Sequence, residues 1–244
     1  VNRPLAAAVA PAKLPPMRLM FLLCLALLAG SCGRPLTQAE KGFIEEIHGD
    51  GVDTSRVRIT TWGSVGAIER TYLARPRTTC RELILPPMTE KSFKSRTAGL
   101  VLFNKLFLNP DWYLEDFVEG WPDELNLASA MFIAHEITHI WQWQNRKITG
   151  YHPLRAASEH RRNVDPYLFD AASNPRFLDY PYEQQASLVE EFVCCRALDP
   201  EGSRTARLRA LLSQVMDPAP MELSRPVGKV NLPWPEAETR GICS

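Results

Sequence analysis

The stretch Phe132-Ile133-Ala134-His135-Glu136-Ile137-Thr138-His139-Ile140-Trp141 is apolar except for two histidines, one glutamate and one threonine. Leu127, Met131 and Trp143 extend the apolar character on both sides. The pattern predicts a buried helix from about Asp123 to Lys147, with Gly150 placed to cap it and Pro153 barring its continuation. A helix repeats every 3.6 residues, so His135 and His139, four apart, share a face and can present their imidazoles to one ion. Two imidazoles and a carboxylate would be costly in such surroundings without a partner. Zinc meets that need: it accepts imidazole nitrogen, prefers four ligands and keeps one position open in catalytic sites. Glu136, next to the first histidine, is placed to take a proton from an activated water.

A third ligand is required, and Tyr182-Glu183-Gln184-Gln185-Ala186-Ser187-Leu188-Val189-Glu190-Glu191-Phe192 offers it. Pro181 suits a first helical position, and Ala186, Val189 and Val193 recur at helical spacing, which predicts a second helix with one buried face. Glu183, three before Ala186, and Glu190, four before Cys194, both fall on that face. The competing reading is that both are solvated, the commoner fate of glutamate.

His135-Glu136-Ile137-Thr138-His139, followed on a later helix by Glu183-Gln184-Gln185-Ala186, resembles the gluzincin metallopeptidases. More narrowly, three segments resemble the Vgr-related metallopeptidases of bacteria, relatives of the core domain associated with contractile injection systems. They are Arg34-Pro35-Leu36-Thr37 running to Asp53-Thr54-Ser55-Arg56-Val57-Arg58-Ile59, the histidine helix with Trp141-Gln142, and Tyr180 to Ala186. The resemblance implies an α+β, zincin-like fold: a minimal gluzincin with a metal-binding helix, a second ligand helix and a small antiparallel or mixed sheet. It also implies Zn2+ on His135, His139 and Glu183, with Glu136 as general base in peptide-bond hydrolysis. One position departs from the pattern. Many gluzincins carry Asp four residues after the third ligand to orient a zinc imidazole; this chain has Ser187, a weaker acceptor.

Around these helices, Thr37-Gln38-Ala39-Glu40 reads as a capping box opening a helix with Phe43, Ile44 and Ile47 on its apolar side. Strands are predicted over Val57–Trp62, Arg81–Leu85, Leu100–Phe103 and Leu106–Leu108. One of them is expected to lie beside the metal helix and hold an extended substrate by strand addition. Residues 151–181 read as a polar connection, in which His152, Tyr167 or Tyr180 could donate to an oxyanion or simply pack. Tyr180, three residues before Glu183, is the favoured donor. A last helix is predicted over about Ser203 to Met216, with Arg204, Arg207 and Arg209 solvated, followed by a Pro-rich tail, 217–244, of little regular structure.

With 45% hydrophobic residues among 244, one domain of about 33–216 can bury a core. Residues 1–31 read as a signal peptide, with a twelve-residue apolar run, Leu19 to Gly30, after Arg18 and a natural start at Met17. Leu28-Ala29-Gly30-Ser31-Cys32 resembles a lipobox, which implies a lipid anchor on Cys32 and a periplasmic, membrane-attached protein; simple cleavage and release is the alternative. The leader holds Arg3, Lys13 and Arg18 and no acid, so 28 basic residues less three leaves 25 against 28 acidic, a net charge of −3. That balance, with no basic stripe, argues against nucleic acid as a partner. Cys80, Cys194, Cys195 and Cys243 remain, an even number that predicts two disulfides in an exported chain, with Cys194 and Cys195 bonding to the other two in either order.

These readings converge on an exported zinc metallopeptidase acting on a peptide or protein, with peptidoglycan cross-links also open. The alternative is a non-catalytic module of the envelope or a secretion system in which zinc staples two helices.

Overall fold

A computed structural model describes residues 33–160, 165–220 and 227–244. The expected signal segment and Cys32 lie outside the described residues. The described residues build an α+β unit with seven helices and seven strands. In chain order these are α1 (Gln38–His48), β1 (Arg58–Thr61), β2 (Glu69–Leu73), α2 (Cys80–Leu83), β3 (Ser92–Arg96), β4 (Gly99–Leu102), β5 (Lys105–Leu108), β6 (Glu124–Asn126), α3 (Leu127–Gln144), α4 (Arg146–Thr149), α5 (Pro153–Glu159), α6 (Tyr182–Leu198), α7 (Ser203–Leu212) and β7 (Lys229–Asn231).

α1 starts at the capping box: Thr37 Oγ1 accepts from the Glu40 amide at 3.0 Å, and the Glu40 carboxylate accepts from the Thr37 amide at 2.9 Å. Arg34 grips the same buried carboxylate with both terminal nitrogens at 2.8 Å. At the other end of α1, His48 is fully buried and its Nε2 donates to Thr138 Oγ1 on α3 at 3.0 Å, because that hydroxyl already donates to the Ala134 carbonyl. Burial, set against a smaller backbone hydrogen-bond effect, lowers the His48 pKa to about 4. The folded chain then keeps this imidazole neutral where the unfolded chain protonates it. Stability should fall as pH drops from 6.5 towards 4, by roughly 3 kcal/mol at about 1.4 kcal/mol per pH unit. Urea unfolding at pH 7 and pH 4.5 measures this. His48→Gln should lose less stability on acidification than the wild type; equal losses would remove His48 as the acid-sensitive group.

α3 is apolar nearly all round, as a helix buried on every side must be. Ile133, Ala134, Ile137, Ile140 and Trp141 have no exposed surface, and α6 packs along it with Ala186, Leu188, Val189 and Phe192 equally buried. Each large side chain so buried contributes about 1.5–3 kcal/mol. The main sheet has the order β1-β5-β4, with β5 parallel to β1 and antiparallel to β4. The β4–β5 turn carries Phe103 at φ 59°. β4 is therefore an edge among the described residues, and it runs beside α3.

Several expectations are corrected. Arg81–Leu85 is not a strand: Cys80–Leu83 is one helical turn. The Glu191 carboxylate accepts from the Cys80 amide at 2.8 and 3.0 Å, and a disulfide ties Cys80 to Cys194, so tertiary contacts override the local β-pattern. The metal helix is shorter than 123–147. Glu124–Asn126 instead pairs in parallel with Lys229–Asn231, Asn126 caps α3 by accepting from Ser129, and Asn145 separates α3 from α4. Gly150 ends α4 at φ 65°, as expected. The connection 151–181 contains α5, opened by His152, whose Nδ1 accepts from the Leu154 amide. The 217–244 stretch supplies β7 and the second disulfide, Cys195–Cys243. The ribbon β2–β3 was not anticipated, because its residues are mostly exposed and alternate only weakly.

Candidate metal centre

His135 and His139 leave α3 on one face, with their rings 5.1 Å apart, and Glu183 comes from the first turn of α6. His135 Nε2 lies 3.4 Å and His139 Nε2 3.3 Å from the same carboxylate oxygen, Glu183 Oε2. These are groups that could hold a metal ion: one ligand atom from each lies within 4.8 Å of the others, and all three residues are buried. Cys80, Cys195 and Cys243 also converge, but as disulfide sulfurs they offer no thiolate.

The far sides of the imidazoles are held as well. His139 Nδ1 lies 2.9 Å from Gln142 Oε1. The Gln142 amide nitrogen donates to Tyr182 O and Gln185 Oε1, both at 3.0 Å, so its oxygen is left to accept. His139 Nδ1 therefore carries a proton, and Nε2, which faces Glu183, is the nitrogen that could ligate a metal once its own proton is displaced. His135 Nδ1 makes the same kind of contact with Glu190 Oε2 at 3.2 Å, and Arg81 holds that carboxylate from behind at 3.3 Å. Ser187, four residues after Glu183, has a buried hydroxyl with no hydrogen-bond partner among the described residues. Glu190, one turn further along the same face, reaches where serine is too short. It contacts the far side of His135 and is not among the three groups that could hold a metal ion. Glu190→Gln should weaken zinc affinity about 10–100-fold in competition with a fluorescent chelator, the scale for such partners, whereas Ser187→Ala should not. Unchanged affinity in Glu190→Gln would mean that another group sets the His135 ring.

Glu183 is fixed from three sides. Its other oxygen accepts from His160 Nε2 at 2.9 Å, and the Glu159 carboxylate takes the amides of Tyr182 and Glu183 at 3.0 and 2.9 Å, closing the start of α6. Burial alone would raise the pKa of Glu183, but the charge of His139 and hydrogen bonds from the three histidines outweigh it and hold the carboxyl well below its usual range. Burial alone would lower His135, but hydrogen bonds to Glu183 and Glu190 raise it to about 10; His139 is raised by the same contest. Three buried carboxylates, Glu136, Glu183 and Glu190, thus surround two imidazoles, and the cluster draws in positive charge. A divalent cation fits that donor set, displacing protons from nitrogen as it binds.

No protein-family model matches the chain, and no curated protein matches it. The chain is similar to a solved structure, the effector domain of Pseudomonas aeruginosa VgrG2b. The two are 16% identical over 82% of this chain and 94% of that one, with a TM-score of 0.46.

Glu136 lies beside the cluster without a hydrogen bond among the described residues, and burial, opposed by the neighbouring imidazoles, raises its pKa. β4 begins directly across from it: a Cβ on Gly99 would sit 2.6 Å from Glu136 Oε1, so any larger residue there would push the Glu136 carboxylate aside. The cleft along β4 is also lined by His160, Tyr167 and Tyr151. Tyr180, the favoured oxyanion donor, is elsewhere. Its hydroxyl donates towards Asp170 O at 3.0 Å and accepts from the Asn174 amide at 3.1 Å, tying the connecting loop instead. Tyr167 instead lies beside the histidine–carboxylate cluster, its ring 5.7 Å from that of His135. Burial, with Glu183 and Glu136 adding to it, keeps its phenol protonated far above neutral pH. Sequence reasoning missed Glu159 and the orienting role of Glu190. For Glu190 a signal existed, since it falls seven residues after Glu183, two turns along one face.

Proposed function

We propose that this chain is a zinc-dependent peptidase of the gluzincin type, with His135, His139 and Glu183 as metal ligands and Glu136 as general base. The observation that carries this reading is the position of Glu136. It stands next to a three-residue ligand set, on a cleft, and opposite the start of an edge strand. Zinc bound there would polarise a scissile carbonyl and make water a nucleophile near neutral pH. The open edge of β4 would hold an extended peptide by strand addition. Glu136, with its pKa raised by burial, would take the proton from water and return it to the leaving amine. Tyr167 would donate to the developing oxyanion. A structural zinc needs a closed set of ligands, and among the described residues three side chains converge while His160 engages the outer oxygen of Glu183. That favours a catalyst over a staple. Two disulfides suit an oxidising compartment, in line with export to the periplasm and attachment through Cys32. Zinc-loaded protein should cleave members of a random peptide library, lose that activity to a chelator and regain it with zinc. Bound zinc with no cleavage would favour the helix-stapling module.

A further inference from the structure

The cleft extends to both sides of Glu136, and its two arms differ in chemistry. One arm, of about 520 Å³, is walled by Trp62, Ile68, Leu100, Leu102 and Leu154, all exposed. Exposed apolar surface gathered along one groove marks a place that something apolar covers. The other arm, of about 340 Å³, lies under the β2–β3 ribbon. Arg70 and Tyr72 on β2 pair with Ser95 and Phe93 on β3, so these four share one ribbon face, and all four line this arm.

Four arginines line the second arm: Arg70, Arg75, Arg81 and Arg96. Three of them already have carboxylate partners. Arg75 is held by Asp165, Arg81 by Glu82 and Glu190, and Arg96 reaches Glu69 at 3.8 Å. Arg70 is the exception among the described residues, meeting only the His160 carbonyl at 3.3 Å. It lines both arms, beside His160 and Tyr167, at the junction over the metal cluster.

We propose that the cleft selects an extended peptide bearing a carboxylate beside an apolar segment, with Arg70 binding the carboxylate and the Trp62–Ile68–Leu100 wall binding the apolar side chains. This rests on the peptidase reading and names its substrate class. The guanidinium fork suits a carboxylate, and the exposed apolar wall loses water when leucine-like side chains cover it. The carboxylate can come from an acidic side chain or from the C-terminus of the peptide.

Binding to zinc-loaded Glu136→Gln protein separates this proposal from the catalytic one, since it needs no turnover. The probes are acetylated, amidated heptapeptides carrying two adjacent leucines next to a glutamate, in both orders, with fluorescence anisotropy as the readout. The same peptides with glutamine are the neutral comparison, and a glutamine peptide with a free C-terminus tests the second source. In at least one order, or with the free C-terminus, the carboxylate peptide should bind about three- to fivefold more tightly than its neutral twin, the scale of an exposed ion pair. Replacing the leucines by serine should weaken binding about tenfold or more. Adding Arg70→Gln should erase the carboxylate preference. Adding Lys94→Gln, which removes a charge from the ribbon away from the cleft, should keep it. Equal binding of charged and neutral peptides by the Arg70-containing protein would overturn the proposal. So would loss of the preference in the Lys94 variant as much as in the Arg70 variant. Absence of cleavage by the zinc-loaded wild type would instead count against the peptidase reading and leave these binding results to stand or fall by themselves.

Discussion

Glu183→Ala should reduce bound zinc from about one ion per chain to near none after dialysis against a weak chelator, as the three-ligand geometry requires. The carboxylate meets both imidazoles through one oxygen, at 3.4 and 3.3 Å, so its loss removes a proposed ligand and a negative charge from the cluster. The affinity loss should exceed the roughly 100-fold upper range for orienting partners, and so exceed that of Glu190→Gln. His135→Ala and His139→Ala should behave like Glu183→Ala. Metal analysis by mass spectrometry gives the stoichiometry, and thermal unfolding with and without added zinc gives the linked stabilisation, which should vanish in all three variants. Full occupancy in Glu183→Ala would break the proposed centre. A larger loss in the Glu190 variant would exchange the roles assigned to the two carboxylates.

The second large effect concerns rate and not metal. Glu136→Gln should keep its zinc and its melting temperature, because Glu136 makes no hydrogen bond among the described residues and glutamine has the same shape. It should lose about 100-fold or more of the hydrolytic rate, the usual contribution of a general base. Rates are compared on whichever library peptide the wild type cleaves. Equal rates in the two proteins would remove Glu136 from the mechanism. A fall in melting temperature with loss of zinc would make it a structural residue instead.

The parts legible in the sequence were those governed by short-range geometry. Thr37 and Glu40, three residues apart, form a capping box whose two bonds are local to one helical turn. His135 and His139 share a face because four residues make about one helical turn. The apolar surround of those histidines correctly placed α3 in the core, and the spacing of Ala186, Val189 and Val193 located α6. The strands β4 and β5 were legible as two short apolar runs, and the structure pairs them as a hairpin. Ends of elements were read less well, because Asn126 and Asn145 bound α3 through contacts that a hydropathy pattern does not register.

What the sequence by itself determined is therefore which two helices carry the candidate ligands: His135, Glu136 and His139 on one, Glu183 and Glu190 on the other. Only the tertiary structure decided which of those residues meet. Glu183 meets both imidazoles while Glu190 contacts the far side of His135, because the packing of α6 on α3 sets which turn of α6 faces which ring. Arg81, 109 residues before Glu190 in the chain, is brought behind it by the turn that Cys80 anchors to Cys194, a pairing that an even cysteine count left open. Tyr167 reaches the cleft and Tyr180 does not, since the loop between them consumes the Tyr180 hydroxyl in its own hydrogen bonds. Helical periodicity acts over a few residues and can be read from them. The distances that assign a ligand, an orienting partner or an oxyanion donor arise only when segments far apart in the chain exclude water between them.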